Sequence, residues 1–498
     1  MPKSLEKVLV ANRGEIAVRV LRAAKELGLQ TVAVYSEVDA GAPHTLVADE
    51  AVCIGPAEPA RSYLNIERII DAARMTGARA LHPGYGFLSE NAAFAAACHD
   101  AGLVFVGPSA ETIEALGDKV RARELALSAG VPVIAGALAP ESEEALHQAA
   151  ATIGYPVMLK AAAGGGGKGM RVVREAAGLM ESYGAARREA ASSFGDDTLL
   201  IERFIEGPRH IEVQILADGV GNAVYLGERE CSVQRRHQKI IEESPSVVVD
   251  AKLRQRMGEA ALRVVKAAGY VNAGTVEFLV TSGGEFFFLE VNTRLQVEHP
   301  VTELVTRVDL VHEQFRVASG KPLAFSQEDI SLRGHAIECR VYAEDPERGF
   351  SPSPGKILRL YEPHFAGLRI DSGIRASQEV PVHYDPILAK IVAWGPSRDE
   401  AIARMRRGLA EYSVLGVKTN IAYLDAVIDH PAFRAGDLTT DFIAEHFADY
   451  REEAPSLEQA ALAAAILSLE RGGATGRDSA RKKTSTDPWD TLDGWRIS

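Results

Sequence analysis

The 498-residue sequence predicts an α/β chain, α+β overall, with a parallel α/β unit at the N-terminus, a β-rich middle and a further α/β unit toward the C-terminus. Three observations carry this reading. Short apolar runs at residues 8–11, 31–35, 51–54, 80–81 and 104–106 alternate with segments of helical period such as 16–27, the pattern of a parallel sheet. Four glycines, 164–167, lie between two apolar runs, 155–159 and 171–173. An apolar strand at 286–289 runs directly into Glu290-x-Asn292-x-Arg294-x-Gln296-x-Glu298.

At 498 residues the chain should hold two to four domains, and 46% hydrophobic with 25% charged residues is the balance of a soluble globular protein. A net charge of -13 argues against a nucleic-acid or phospholipid partner. No signal-peptide region forms before Glu6 and Asn12, and no run approaches the ~18 apolar residues of a membrane span. Cys53, Cys98, Cys231 and Cys339 are widely spaced without a Cys-x-x-Cys pair, so neither disulfides nor zinc are expected, and a reducing cytoplasm is the simplest location. Cys231 stands apart because it adjoins a basic cluster.

Taken in order, Gly14-Glu15-Ile16 opens the first helix, where an anion could sit, although Asn12-Arg13-Gly14-Glu15 reads more simply as a capping turn. The glycine run lets the backbone approach a phosphate, with Lys160 and Lys168 adding charge at its ends. It matches neither the Walker nor the dinucleotide pattern and reads as a flap over a nucleotide, with a flexible loop as the plainer alternative. Residues 235–239, Arg-Arg-His-Gln-Lys, concentrate positive charge in an acidic chain, which suits a small anionic substrate.

Alternate residues of a strand share a face, so Glu290, Asn292, Arg294, Gln296 and Glu298 would line one side, with Glu277 on a neighbouring strand. Two carboxylates and an amide suit Mg²⁺ or Mn²⁺ with phosphate oxygens and water completing the shell. A solvated polar sheet face is the alternative.

The order of several long motifs resembles the biotin carboxylases of the ATP-grasp superfamily. These are Lys7 through Ala17, His82-Pro83-Gly84-Tyr85-Gly86, Gly154 through Lys160, Gly164 through Val173, Pro208-Arg209-His210-Ile211-Glu212, Gln234 through Lys239, Glu290 through His299, Gly334 through Arg340 and His383-Tyr384-Asp385-Pro386. The resemblance runs to about residue 445. It implies an N-terminal domain at 1–117, an ATP-grasp domain at 118–330 whose lid spans about 132–203, and a biotin carboxylase C-terminal domain at 331–445. A helical extension near 457–470 and a linker would fill 446–498.

The resemblance also implies roles. Lys119, Lys160 and the amides of Gly166 and Gly167 would contact ATP phosphates; Glu202, Arg203, Phe204 and Ile205 would carry the adenine contacts; His210, Gln234 and His237 would add polar contacts to the nucleotide. Glu277, Glu290 and Asn292 would hold Mg²⁺ or Mn²⁺. Lys239, Arg294, Gln296, Val297 through its backbone, and Arg340 would bind bicarbonate and the biotin ureido group, Tyr85 would border the biotin pocket, and Glu298 would deprotonate bicarbonate. The implied reaction forms carboxyphosphate from bicarbonate and ATP and carboxylates a biotin borne on another domain or protein, the first half-reaction of an acyl-CoA carboxylase.

Implied partners are a biotin carboxyl carrier protein or domain, a carboxyltransferase subunit and bicarbonate; stand-alone family members form homodimers. Lys168, the 373–390 segment and the terminal 487–496 segment look more like acyl-CoA carboxylase α-subunits than stand-alone bacterial subunits. No Met-Lys-Met is present, so the biotin lies on another protein or these residues are the front of a longer α-subunit. A different ATP-grasp ligase would have no need of residues 234–239 or Arg340, and a non-catalytic scaffold would tolerate loss of Glu298 or a metal ligand.

Overall fold

The computed structural model describes residues 5–162, 170–236 and 238–452. Gly166, Gly167, His237, and the expected 457–470 helix with its linker lie outside the described residues. The chain divides into Met1–Tyr450 and Arg451–Ser498, and nearly all described residues belong to the first unit.

The five N-terminal apolar runs become parallel strands in the order Glu50–Gly55, Gln30–Ser36, Lys7–Val10, Ala80–His82, Val104–Phe105. Helix Gly14–Glu26 buries Ile16, Ala17, Val20, Leu21 and Ala24, the stripe expected from its period. Strand order reverses between Lys7–Val10 and Ala80–His82, and the loops after those two strands meet at the sheet's carboxyl edge, where such sheets place ligands. Asn12 Nδ2 donates to the carbonyls of Pro83 and Tyr85 at 2.7 and 2.8 Å. Gly84 has φ +65°, and a Cβ there would lie 2.8 Å from Asn12 Nδ2, so this close approach requires glycine.

A four-stranded antiparallel sheet follows, ordered Gly136–Leu138, Leu199–Arg203, Val157–Ala161, Arg171–Val173. Its core combines Val157, Leu159 and Ala161 with Leu146 and Ala150 of helix Glu143–Ile153 and with Tyr183, Ala186 and Ala190 of helix Leu179–Phe194. The strand's period of two turns Lys160 away from that core.

The largest sheet has eight antiparallel strands, ordered Phe286–Asn292, Asn272–Val280, Arg209–Ala217, Ala223–Glu230, Ile241–Ser244, His335–Tyr342, Ile387–Gly395, Leu368–Ser372. It draws strands from both sides of residue 330. Helix Ala251–Ala267 packs Met257, Ala260, Ala261 and Val264 against one part, while helices Arg398–Glu411 and Ile421–Asp429 join the core of the other. Among the described residues no helix is long and apolar enough to cross a membrane.

One expectation is corrected. The strand ends at Asn292, and residues 293–298 form turns leading into helix His299–Thr306, so strand alternation does not place Arg294, Gln296 and Glu298. Glu90 of the N-terminal unit captures the chain there: its carboxylate accepts from the Thr293 amide at 3.0 Å and from Arg294 Nε at 2.8 Å, diverting the backbone from the sheet.

Candidate active site

Glu212, Glu277 and Glu290 lie abreast on three neighbouring antiparallel strands. Like charges in register repel, so such a row needs cations. Lys239, on a short hairpin opposite the buried Gln234, answers two of the three. Its Nζ lies 2.5 Å from Glu212 and 2.8 Å from both Glu277 and Glu298. Burial works to lower the lysine's pKa, but these carboxylates outweigh it and hold the ammonium well above the usual lysine range.

Glu298 is fully buried and held from two sides, its Oε1 by Lys239 and its Oε2 by Arg340 Nη2 at 3.0 Å. Burial pushes its carboxyl up, yet Lys239, Arg340 and Arg229 together hold it well below the carboxylate range, so it is ionised at neutral pH. Arg340 is braced from behind by Glu242, whose Oε1 accepts from Nε at 2.7 Å. Burial, opposed by Arg340, brings the Glu242 carboxyl up to about 7.

Arg294 donates to Gln296 Oε1 at 2.9 Å and to Asn292 Oδ1 at 3.1 Å, so the turn that breaks the strand still gathers these side chains at one face. Asn292 Nδ2 and Gln296 Nε2 approach Glu277 Oε1 at 2.8 and 3.4 Å. Val297 is half-buried, and its carbonyl accepts from Lys390 at 2.8 Å. His210 bonds Glu277 Oε2 at 2.8 Å, which places it among the carboxylates.

The oxygen donors fit a divalent ion. Burial and the neighbouring Glu277 raise the Glu290 carboxyl, with Lys119 pulling the other way; Glu277 already has Lys239 and His210, so it is the charge of Glu290 that a hard cation would offset. Asn292 turns its amide nitrogen to Glu277 and its oxygen to Arg294 here, so a ligand role would need that amide to turn over. Burial in turn lowers Lys119, at the start of helix Lys119–Ser128, while Glu290 opposes the shift.

Lys160 pairs with Glu202 at 2.6 Å on the four-stranded sheet. Arg203 ends strand Leu199–Arg203, and the Arg203 and Phe204 amides donate to Ala135 and Pro156 carbonyls, which occupies them, while Ile205 follows half-buried. Tyr85 lies on the N-terminal loop, its hydroxyl buried without a hydrogen-bond partner. Cys231 is a buried thiol pushed well up by burial and unsuited to act as a nucleophile.

Sequence reading missed Glu212, Arg229, Glu242 and Glu90. Arg229 is fully buried, pairs with Glu212 and donates to Gln214, Thr302 and Thr275. Glu212 stood two positions from His210 on the same strand face, which was a usable signal; the other three gave none, because their charged partners lie on other segments of the chain.

The family "Biotin carboxylase, N-terminal domain" matches residues 4–113, "Carbamoyl-phosphate synthase L chain, ATP binding domain" matches 118–326, and "Biotin carboxylase C-terminal domain" matches 338–445. The mitochondrial methylcrotonoyl-CoA carboxylase subunit alpha of Rattus norvegicus is 49% identical over 94% of this chain, which spans 66% of that relative, just under two thirds. The biotin carboxylase of Nostoc is 50% identical over 88% of this chain and 99% of its own length. The crystal structure of the Hydrogenobacter thermophilus 2-oxoglutarate carboxylase biotin carboxylase domain dimer, in complex with MgADP, ADP and bicarbonate, superposes with a TM-score of 0.87 at 46% identity, covering 90% of this chain and 99% of that one.

Proposed function

The chain belongs to the biotin carboxylase family, and from that premise and the site's geometry we propose that it uses ATP and bicarbonate to carboxylate biotin, the first half-reaction of an acyl-CoA carboxylase. The carrying observation is Glu298, an ionised base gripped at each oxygen by a different cation, Lys239 and Arg340. A planar anion entering between those cations would be oriented beside a carboxylate ready to take its proton.

Lys160, Lys119 and the glycine run would draw the ATP phosphates, and the Glu202–Ile205 backbone, less the two occupied amides, would read adenine. Gln234, His237 and His210 would border the nucleotide. Glu277, Glu290 and Asn292 would hold Mg²⁺, with Mn²⁺ as a substitute of the same oxygen preference; the ion would neutralise charge on the phosphates. Arg294, Gln296, the Val297 backbone and Lys239 would orient bicarbonate, and Glu298 would accept its proton as a bicarbonate oxygen attacks the γ-phosphorus and ADP departs.

Carboxyphosphate then yields CO₂ and phosphate, which takes the N1′ proton of biotin. Arg340's fork would stabilise the resulting ureido oxyanion while its nitrogen attacks CO₂. Tyr85 would flank the biotin ring system. Closure of the 132–203 lid would exclude water that destroys carboxyphosphate.

The domain limits 1–117, 118–330 and 331–445, with an extension at 446–498, follow this assignment. We also propose a biotin carboxyl carrier protein or domain and a carboxyltransferase subunit as partners, a homodimer, and the cytoplasm as location, the last supported by four free thiols. Phosphate release from MgATP tests the reading: it should require bicarbonate and rise when free biotin is added. Turnover indifferent to both would refute it.

A further inference from the structure

Lys390 is a cation with no exposed side-chain surface, and neither its strand nor its spacing marks it in the sequence. On the eight-stranded sheet it stands directly between Arg340 on one neighbour and Asp371 on the other. Two adjacent cations in register repel unless each has its own anions. Arg340 has Glu242 and Glu298. Lys390 has Glu15 at 3.6 Å and Asp371 at 4.0 Å.

Its Nζ donates to the Val297 carbonyl at 2.8 Å and lies 5.7 Å from the centre of the Tyr85 ring. One ammonium thus touches the first helix, the Tyr85 loop, the turn carrying Glu298 and the C-terminal strands. Both Glu15 oxygens are buried without a hydrogen-bond partner, which makes Lys390 the nearby compensation for that charge. Strand Leu368–Ser372 is followed by Gly373, where a Cβ would collide with the Glu15 amide, so the helix start is packed tightly against the sheet that bears Lys390.

The Asn12-Arg13-Gly14-Glu15 turn, expected to cap the helix, makes no side-chain cap there, and its side chains act elsewhere. Asn12 fixes the loop that carries Tyr85, and Glu15 fixes the lysine that holds the Val297–Glu298 peptide. We propose that Lys390 is a positioning residue for bicarbonate, pinning the Val297 carbonyl so that the following peptide and the Glu298 carboxylate keep their orientation toward the bound anion. This rests on the carboxylase reading above.

The test uses the full chain carrying Lys390→Met, and the double variant Lys390→Met/Glu15→Gln, which also removes the charge of Glu15, one of the two unpartnered buried carboxylates, with Glu338, that Lys390 offsets. KM is measured separately for bicarbonate and ATP. Loss of a charged hydrogen bond predicts a rise in bicarbonate KM of about tenfold or more in both variants, with ATP KM within about twofold. Should unpaired Glu15 unfold the single variant, the double variant carries the comparison. A folded double variant with unchanged bicarbonate KM overturns the proposal, as does a parallel rise in both KM values, the signature of a loosened fold. Wild-type protein lacking bicarbonate-dependent ATP hydrolysis would instead remove the carboxylase reading itself.

Discussion

Lys239→Met removes the ammonium shared by Glu212, Glu277 and Glu298 at 2.5, 2.8 and 2.8 Å. At such distances and an effective dielectric of ~20, each contact is worth about 6 kcal/mol of raw attraction, much of it offset by desolvation of the ions. Leaving buried carboxylates without their partner costs about 3–5 kcal/mol. Arg229, Arg340 and His210 remain but face one or two of the three, so the variant should take up a proton on the cluster. A carboxyl raised above its unfolded value binds more protons when folded, and its contribution to stability declines as pH rises through that interval. The variant's deficit should therefore be about 3–5 kcal/mol near pH 8 and clearly smaller near pH 5.5, read from paired urea titrations of wild type and variant. A deficit below about 1 kcal/mol near pH 8, or one independent of pH, would refute this account of the cluster.

Three further outcomes follow from the same geometry. Glu290→Gln should raise the Mg²⁺ concentration for half-maximal ATP hydrolysis by about tenfold or more, and Mn²⁺ titration should show the same direction. His82 is buried and neutral, its Nδ1 accepting from the Gly84 amide at 3.0 Å, and burial lowers its pKa to about 4. Its folded value lies below the unfolded one, so stability present above about pH 6.5 should fall by about 3 kcal/mol toward pH 4, a slope that NMR titration of the imidazole would tie to this residue. Gly84→Ala should cost about 1–3 kcal/mol, since it combines a left-handed φ with a clash against Asn12, and should raise the KM for biotin; an unchanged thermal midpoint would contradict that.

Much of the fold was legible because its signals are local. The apolar runs at 8–11 and 31–35 appear as Lys7–Val10 and Gln30–Ser36, and the helical stripe from Ile16 onward appears as helix Gly14–Glu26. The strand ending in Glu290 and Asn292 was equally plain. Residues 293–298 were misread as its continuation because the anchor that breaks the strand, Glu90, lies about two hundred residues earlier and leaves no periodic trace. Pairing of Ile241–Ser244 with His335–Tyr342 joins segments that sequence spacing separates, so one sheet spanning residue 330 could not be inferred. Glu242, beside Glu243, and Lys390 were illegible for another reason: a charge inside a buried strand looks like a polar interruption until its counter-ion is seen.

The most direct measurement of the central claim is fixation of labelled bicarbonate into free biotin by the full chain with MgATP, compared with Glu298→Gln and Arg340→Ser. The account predicts acid-labile carboxybiotin from wild type only when ATP is present, none above background from Glu298→Gln, and from Arg340→Ser a loss of biotin labelling larger than its loss of bicarbonate-dependent ATP hydrolysis. Labelled biotin from Glu298→Gln at the wild-type rate, or ATP hydrolysis by wild type with no label transferred, would contradict it.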